Sequence, residues 1–324
     1  MSVLVTGGAG YIGSHFVRAL RNNGFDVVIF DNLSRGHIES IPSDVIFEKV
    51  DLLDYDKLSV AFKKFKIEAV VHFAAFAYVG ESVDNPDLYY RNNVIGTTNL
   101  LSVMLKEGVK QLVFSSTCSV YGNPENVPIT ENESIKPINP YAKTKYIIEI
   151  MLEDYKNLLG LKYVALRYFN AAGASTDGLI GESHEPETHL IPLAIFSALG
   201  KRDNIKVFGS DYNTPDGTCV RDYIHVDDLA DAHLKALEYI KNNGDSTVIN
   251  LGTGEGNSVK EVIELTESLT GEKIKSIYTE RRDGDPAILV ADNKKAKDLL
   301  NWQPKFNLKD IISDALKWHS IQKF

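Results

Sequence analysis

A glycine-rich loop near the start of the chain limits the possible folds more than any other feature. The loop runs Thr6-Gly7-Gly8-Ala9-Gly10-Tyr11-Ile12-Gly13, between the β-branched run Val3-Leu4-Val5 and a helical stretch that ends near Gly24. The glycines let the backbone turn tightly from a strand into a helix, whose N-terminal amides attract anionic oxygens. The pattern indicates the first strand, loop and helix of a dinucleotide-binding sheet.

An acidic residue at the end of the next strand-like run indicates which dinucleotide binds. Asp31 follows Gly13 by 18 residues. Its carboxylate can accept hydrogen bonds from the two ribose hydroxyls and would repel a 2′-phosphate, which favours NAD over NADP. Arg35 could instead accommodate such a phosphate, or it could be an exposed loop charge.

Short apolar runs alternate with helical stretches along the first half of the chain and predict a parallel, doubly wound sheet. The predicted strands are Val3–Val5, Val27–Phe30, Val45–Phe47, Ala69–Phe73, Gln111–Phe114 and Tyr163–Leu166, with a further one at Val248–Gly252. The predicted helices cover Ile12–Asn22, Leu88–Lys106 and Pro140–Leu158.

The regular alternation of strand-like and helical stretches ends after Asn170, where glycine and proline interrupt it. We therefore expect an α/β protein in which residues 1–170 form a Rossmann-type domain and residues 171–324 form a smaller substrate-binding lobe. Because Val248–Gly252 reads as another sheet strand, residues 222–254 are expected to return to the first domain, so that the two lobes interleave.

Composition excludes several functional classes. A net charge of −9 disfavours a nucleic-acid partner bound through its phosphate backbone. The apolar runs are too short to cross a bilayer, and the chain begins with a strand instead of a signal peptide, so a cytoplasmic enzyme is expected. Cys118 and Cys219 are expected to be reduced thiols. The eight histidines are scattered, and no metal site is predicted.

Tyr141 and Lys145 are the pair that most directly indicates chemistry. Residues four apart share a helix face, so the lysine ammonium can favour ionisation of the phenol. A tyrosine with a lowered pKa can act as a base towards an alcohol near neutral pH. The same spacing also occurs on solvated helix faces, and only the preceding dinucleotide loop favours the catalytic interpretation.

The motifs together resemble the extended short-chain dehydrogenase/reductases and, within them, the UDP-glucose (UDP-galactose) 4-epimerases. The resemblance covers nearly the whole chain. Besides the glycine loop and the Tyr-x-x-x-Lys pair, it rests on Asp31-Asn32-Leu33, His72-Phe73-Ala74-Ala75, Val79-Gly80-Glu81-Ser82, Ser115-Ser116-Thr117, Arg167-Tyr168-Phe169-Asn170 and the run from Asp216 to Val226. The last two are the most specific to sugar-nucleotide 4-epimerases.

The resemblance implies three groups of site residues. The catalytic set would be Thr117, Tyr141 and Lys145, with threonine where many relatives carry serine. The NAD site would comprise Gly7, Gly10, Tyr11, Ile12, Gly13, Asp31, Asn32, Leu33, Asp51, Leu52, Phe73, Ala74, Ala75, Asn92, Ser115, Tyr141, Lys145, Tyr168 and Phe169. The UDP-sugar would contact Thr117, Asn170, Leu190, Phe208, Arg221, Arg282, Asp285 and Leu289.

The implied reaction inverts C4′ without net oxidation. Tyr141 would remove the 4′-hydroxyl proton while hydride passes to NAD, and the 4-keto sugar would turn before the hydride returns. Ala77 stands where some relatives carry a cofactor-contacting lysine, and Leu289 stands at a position that sets the size of the sugar pocket. The preferred sugar stays open between hexose, pentose and N-acetylated hexose.

Three other interpretations compete. A nucleotide-sugar dehydratase typically carries an Asp-Glu pair after the catalytic threonine, but Cys118 and Ser119 stand there. A dehydrogenase that releases NAD(P)H is disfavoured only by the resemblance. A non-catalytic dinucleotide sensor would usually lose the tyrosine or the lysine. The resemblance also implies a homodimer through the helices Leu88–Lys106 and Pro140–Leu158, with Val103, Ile147 and Met151 as candidate interface residues.

Overall fold

The chain forms a central parallel sheet and three smaller sheets in the computed structural model, which describes residues 1–282, 285–321 and 324. In chain order the strands are β1 Ser2–Thr6, β2 Asp26–Asp31, β3 Ile46–Lys49, β4 Ala69–His72, β5 Gln111–Thr117, β6 Lys162–Tyr168, β7 Asn170–Ala172, β8 Ile205–Phe208, β9 Val220–Arg221, β10 Tyr223–His225, β11 Thr247–Leu251, β12 Asn257–Ser258, β13 Ser276–Thr279 and β14 Ile288–Leu289. The central sheet has the order β11-β6-β5-β4-β1-β2-β3, and each neighbouring pair is parallel.

The helices fill the connections between strands. They are α1 Tyr11–Asn22, α2 Tyr55–Lys63, α3 Val79–Asp84, α4 Pro86–Tyr89, α5 Gly96–Lys106, α6 Pro140–Leu159, α7 Leu190–Ala198, α8 Val226–Lys241, α9 Val259–Thr270, α10 Lys294–Leu300 and α11 Leu308–Ile321. The predictions at Ile12–Asn22 and Pro140–Leu158 are confirmed to within one residue. The predicted helix Leu88–Lys106 is a helical path that includes a π-helical segment, Tyr90–Ile95, between α4 and α5.

Both faces of the central sheet are covered, as the continuous apolar runs of its strands predict. Alternate side chains of β1 separate the two layers. Val3 and Val5 pack with α1 and α8, and Leu4 packs with α2, α5 and α6. The doubly wound architecture is therefore confirmed.

The order of the strands creates a crevice beside β1. Strand β1 lies between β4 on one side and β2 on the other, and the chain winds in opposite directions from this point. In open parallel sheets, ligands bind at the carboxyl ends of the strands next to such a switch point. The glycine loop after β1 lies there.

The later part of the chain forms the small sheets and a separate apolar cluster. Strand β7 pairs with β10, β9 lies between β12 and β14, and β8 pairs with β13. Helices α7, α9 and α11 share a core with these elements. Strand β11 joins the central sheet beside β6, which confirms the strand predicted at Val248–Gly252.

Candidate active site

The glycine loop is shaped by close backbone approaches that exclude side chains. A Cβ atom on Gly13 would lie 2.1 Å from the Gly7 carbonyl oxygen. Gly7 has a φ of +74°, and its Cβ would lie 2.5 Å from the backbone nitrogen of Ala74, which follows β4. The loop after β1 thus packs directly on the loop after β4, and only glycine permits this packing.

The first turn of α1 is open towards the crevice. Gly10 occupies the N-cap position, no side chain caps the helix, and a Cβ on Gly10 would meet only the Gly7 oxygen, at 3.3 Å. Helix N-terminal amides that lack a capping side chain suit anionic phosphate oxygens. This glycine cradle fits the pyrophosphate of a dinucleotide.

Asp31 is oriented by two backbone amides. Its carboxylate accepts hydrogen bonds from Ala9 N at 3.0 Å and from Leu33 N at 2.8 Å. Burial raises the pKa of Asp31, and the two amides lower it. The side chain is held at the carboxyl end of β2, where an adenosine ribose would lie in a fold of this kind.

Arg35 does not extend freely towards a 2′-phosphate. Its guanidinium donates to Glu81 Oε1 at 2.6 Å and lies 5.0 Å from the centre of the Tyr78 ring. The arginine is thus paired with an acid, and the structure favours NAD over NADP at this position.

The other predicted cofactor residues lie along the ends of neighbouring strands. Asn32 donates to the Asp51 carboxylate at 3.1 Å, which joins the ends of β2 and β3, and Leu52 lies beside this pair in the chain. Phe73, Ala74 and Ala75 follow β4, and the backbone amide of Phe73 donates to the Thr6 oxygen at 2.9 Å. The Tyr11 hydroxyl donates to the Gly173 oxygen at 2.7 Å, Ile12 lies in the first turn of α1, and the Leu33 amide orients Asp31 as described above.

Two adjacent asparagines in the π-helical segment have different environments. Asn92 was predicted to contact the cofactor, and it is half-buried. Asn93, which we did not predict, is fully buried and contacts Phe76 at both its backbone nitrogen and its oxygen, at 2.9 and 3.0 Å. Asn93 thereby fixes the loop after β4 to the helical path, and only its burial distinguishes it from Asn92.

Thr117 and Tyr141 meet at the carboxyl end of β5. The helix α6 that carries Tyr141 begins at Pro140, and the Asn139 side chain caps it by accepting from Ala142 N at 2.9 Å. Burial raises the pKa of Tyr141, and the neighbouring Thr117 side chain lowers it. The net pKa of Tyr141 is raised, whereas the Tyr-x-x-x-Lys spacing predicted a lowered value.

Lys145 lies one turn beyond Tyr141 on the buried face of α6. Its ammonium donates to the Ser115 carbonyl at 2.8 Å and lies 4.9 Å from the centre of the Phe114 ring. Burial lowers the pKa of Lys145 to about 7, although Glu149 raises it. The Ser115 hydroxyl in turn lies 2.9 Å from the Tyr168 hydroxyl, so three predicted residues form one connected group.

A buried ion pair supports this group, and sequence reasoning missed it. Glu149 accepts from Arg167 Nε at 2.9 Å and from the Ser116 hydroxyl at 2.5 Å. Arg167 also donates to the Tyr121 hydroxyl at 3.0 Å. Glu149 lies four residues after Lys145 on α6, and this spacing is the signal that could have identified it.

Apart from Thr117 on β5, the predicted substrate residues lie on or beside the elements that follow the last strand of the first half, from β7 onward. Arg221 on β9 donates to Asp285 Oδ1 at 2.6 Å, and the Arg282 guanidinium lies 3.9 Å from the centre of the Phe208 ring. Leu289 is paired in register with Arg221. Asn170 begins β7 and Leu190 begins α7. Asp222, which follows Arg221 in the chain, accepts backbone hydrogen bonds from Thr253, Gly254 and Ala291.

Phe169 is the predicted residue whose side chain is most clearly part of a core. It is buried with Leu289 in an apolar cluster that also contains Cys118 and Tyr121. Any contact of Phe169 with a ligand at the crevice would therefore involve its backbone more than its ring.

A family model of NAD dependent epimerases/dehydratases matches residues 3–252 of this chain, a range that includes the glycine loop, Thr117, Tyr141 and Lys145. The chain belongs to this family. The glycine cradle and Asp31 described above fit the cofactor that the family name states.

Relatives of the same family match over nearly their whole length. The UDP-glucose 4-epimerase of Rhizobium meliloti (strain 1021) is 52% identical over 319 residues, which cover 98% of this chain and 97% of the relative. The UDP-glucose 4-epimerase of Brucella ovis in complex with NAD is 48% identical, with a TM-score of 0.95 and 97% coverage of both chains. The Bifidobacterium longum enzyme in complex with NAD+ and UDP is 38% identical, with a TM-score of 0.94 and 99% coverage of both chains.

Two further predictions concern membrane-spanning helices and the placement of the histidines. Within the described residues, no helix of this family member is both long and apolar enough to span a membrane. The expectation that all the histidines are scattered is wrong for His184 and His189, which lie together with Glu182 and Glu187. The signal in the sequence is the spacing Glu-x-His-x-x-Glu-x-His over residues 182–189.

Proposed function

We propose that this chain is an NAD-dependent 4-epimerase that interconverts UDP-galactose and UDP-glucose. The observation that carries the proposal is the buried group of Thr117, Tyr141 and Lys145 at the carboxyl end of β5, where the Lys145 ammonium donates to the Ser115 carbonyl at 2.8 Å. The same edge of the sheet carries the glycine cradle, so a sugar alcohol and a nicotinamide could meet there. The names of the relatives support the same activity.

The chain supplies the acid–base chemistry of the proposed reaction. Tyr141 removes the proton from the sugar 4′-hydroxyl, and Thr117 holds the same oxygen through its own hydroxyl. NAD, when bound, accepts the hydride from C4′, returns it to the other face, and adds a positive charge that favours the phenolate. Lys145 has its ammonium fixed by the Ser115 carbonyl, and it orients that edge of the site.

In the proposed reaction, the protein binds the substrate mainly through its UDP moiety. Arg221 and Arg282 supply positive charge for the diphosphate, and Phe208 and Asp285 position these two guanidinium groups. Asn170, Leu190 and Leu289 would border the nucleotide and the sugar. A sugar that is held only at its UDP end can turn between the two hydride transfers.

Elimination chemistry fits the site less well. A dehydratase needs an acid and a base beside the catalytic threonine, and this chain has Cys118 and Ser119 there. Burial raises the pKa of Cys118 to about 12, so its thiol keeps its proton near neutral pH. UDP-xylose/UDP-arabinose or UDP-N-acetylhexosamine epimerisation stays an alternative, because Leu289 borders the proposed sugar position.

The domain division, the assembly and the location belong to the same proposal. Residues 1–170 with 222–254 would bind NAD, and the rest of 171–324 would bind the UDP-sugar.

A homodimer would form through α5 and α6, but not through Val103, which is fully buried inside the chain. Met151 also packs partly on the core, whereas Ile95 and Ile150 are exposed and suit a dimer interface better. Two free buried cysteines suit the cytoplasm.

An isotope experiment distinguishes this function from its rivals. UDP-galactose that carries deuterium at C4′ and ¹³C in its uridine is mixed with unlabelled UDP-galactose, and the purified enzyme receives no added cofactor. An epimerase returns each hydride to the molecule that lost it, so deuterium should stay in the UDP-glucose molecules that carry ¹³C. Deuterium that accumulates in released NADH, or a product that has lost water, would contradict the proposal. Parallel assays with UDP-xylose and UDP-N-acetylglucosamine would identify the preferred sugar.

A further inference from the structure

A group of four metal-ligating side chains lies on the loop between β7 and α7. The group, here called the loop cluster, consists of Glu182, His184, Glu187 and His189. One ligand atom from each residue lies within 4.8 Å of the other three. Nothing in the proposed epimerisation uses these four side chains together.

The ligand atoms of the loop cluster converge on one carboxylate. Glu182 Oε1 lies 2.7 Å from His189 Nδ1 and 3.1 Å from His184 Nδ1. Glu187 Oε1 lies 2.9 Å from the same His189 nitrogen. Both imidazoles therefore turn the same ring nitrogen inward, towards two acidic side chains.

One polar atom in this group, Glu187 Oε2, is buried and lacks a hydrogen-bond partner among the described residues. It lies 3.7 Å from His184 Nδ1, and the Glu187 side chain is only 7% exposed. Because buried carboxylates are normally satisfied, this oxygen indicates that a further group belongs beside it.

Two acidic side chains give the centre of the loop cluster negative charge. The carboxylates of Glu182 and Glu187 lie 2.7 and 2.9 Å from the same His189 ring nitrogen. A cation at this point would be attracted by both acids.

Aromatic rings hold the imidazoles in place. The His184 ring stands nearly perpendicular to Tyr11 and to Tyr78, at centroid distances of 6.2 and 5.6 Å. The two histidine rings lie 5.3 Å apart. Such a surround limits the rotation of both rings, which is a requirement for a preorganised metal site.

We propose that Glu182, His184, Glu187 and His189 form a binding site for one divalent transition-metal ion, with zinc as the best match. Two imidazole nitrogens and two carboxylates give a neutral, four-coordinate set of a type that zinc accepts. Magnesium and calcium prefer all-oxygen sites, so two nitrogen ligands disfavour them. The bound ion would fix the loop that leads into α7 and would play a structural part, separate from hydride transfer.

Zinc titration of matched variants tests the site directly. The full-length protein is stripped with a chelator, and zinc binding is measured by calorimetry and by elemental analysis after gel filtration. The test variants are Glu187→Gln and His184→Gln. The control is Glu185→Gln, which makes the same change of charge on an exposed side chain of the same loop.

The expected result is one zinc ion per chain in the wild type and in Glu185→Gln. Each test variant should bind at least about ten-fold more weakly, since loss of a ligand should cost no less than the loss of an outer-shell partner. Zinc should raise the melting temperature of the stripped wild type but not that of the test variants. Circular dichroism verifies that each variant folds. If Glu187→Gln does not fold, His184→Gln still tests the site, because His184 is partly exposed.

Two results would overturn the proposal. One is wild-type protein that binds no zinc, in which case the loop cluster is an ion-paired group only. The other is equal zinc binding by wild type and both test variants, which would place the ion elsewhere on the surface. Neither readout depends on epimerase activity, so the test stands apart from that of the proposed function.

Discussion

Arg221 and Asp285, two residues that were predicted to hold the same ligand, bind each other. The Arg221 guanidinium donates to the Asp285 carboxylate at 2.6 Å, and the arginine side chain is only 10% exposed. Asp285 therefore orients the guanidinium before any diphosphate arrives. A phosphate would add to a preorganised cation, and the acid would set the direction of its donors.

Removal of Arg221 should weaken substrate binding more than turnover. Arg221→Ala loses a charge-assisted contact in the ground state and the transition state alike, so KM should rise by about 10- to 100-fold while kcat changes little. Arg281→Ala is the control, because this exposed arginine pairs with Asp211 at 2.7 Å outside the predicted set. Steady-state kinetics with UDP-galactose gives both constants. A fall confined to kcat would show that Arg221 does not contribute to substrate binding.

Tyr141→Phe should abolish most of the chemistry and keep the binding. Loss of the general base should lower kcat by about 100-fold or more, whereas bound NAD and UDP-sugar affinity should persist. Tyr146→Phe, a half-buried tyrosine on the same helix, should retain near-normal kcat. Near-normal turnover of Tyr141→Phe across pH 6 to 9 would exclude Tyr141 as the base.

Lys145 should make folding stability depend on pH in a specific direction. Burial lowers its pKa from the usual 10.5 to about 7. Below pH 7 both folded and unfolded chains carry the charge, and the folded protein bears the full cost of burying it. The cost shrinks as pH rises from 7 towards 10.5, where only the unfolded chain binds the proton.

Replacement by an uncharged residue should reveal this dependence. Lys145→Met removes the buried charge. The free energy of unfolding of the variant minus that of the wild type should therefore be larger at pH 6 than at pH 9. Urea unfolding of NAD-free protein at both values measures the difference. A difference that does not change with pH would contradict the lowered pKa. The same variant should lose activity, and the remaining activity should appear only at higher pH.

Gly13→Ala should disrupt the glycine cradle. The added Cβ would lie 2.1 Å from the Gly7 oxygen, so the loop must move, at a cost of about 1–3 kcal/mol. NAD extracted from the purified variant should fall well below one per chain. Gly80→Ala meets no atom within 4 Å and serves as the control. Full NAD content in Gly13→Ala would show that the cradle does not hold the cofactor.

Glu149→Gln should destabilise the protein through Arg167. The substitution leaves a buried guanidinium without its counter-ion, which typically costs about 3–5 kcal/mol. Glu153→Gln, on the same helix, loses an exposed pair with Lys156 and should cost less than about 1 kcal/mol. Chemical denaturation compares the two variants. Equal costs would indicate that solvent screens the Glu149 charge.

The candidate site was predictable wherever a local pattern fixes the role of a residue. The Gly7–Gly13 spacing, Asp31 at a strand end, and Tyr141 four residues before Lys145 each follow from backbone geometry over a few positions. Asn93 and Glu149 were missed because their importance comes from burial against Phe76 and Arg167, which are distant in the chain. Val103 was assigned to an interface, but an apolar helix residue does not reveal from sequence which core it joins.

The sequence by itself determined the parallel doubly wound sheet, because the spacing of apolar runs and glycines allows few other arrangements. Only the tertiary structure decided the electrostatics of the site. The pKa of Tyr141 is raised and that of Lys145 is lowered because packing removes water from both groups. Likewise, the pairing of Arg221 with Asp285 and the convergence of His184 with His189 depend on how loops fold over the sheet, which periodicity does not encode.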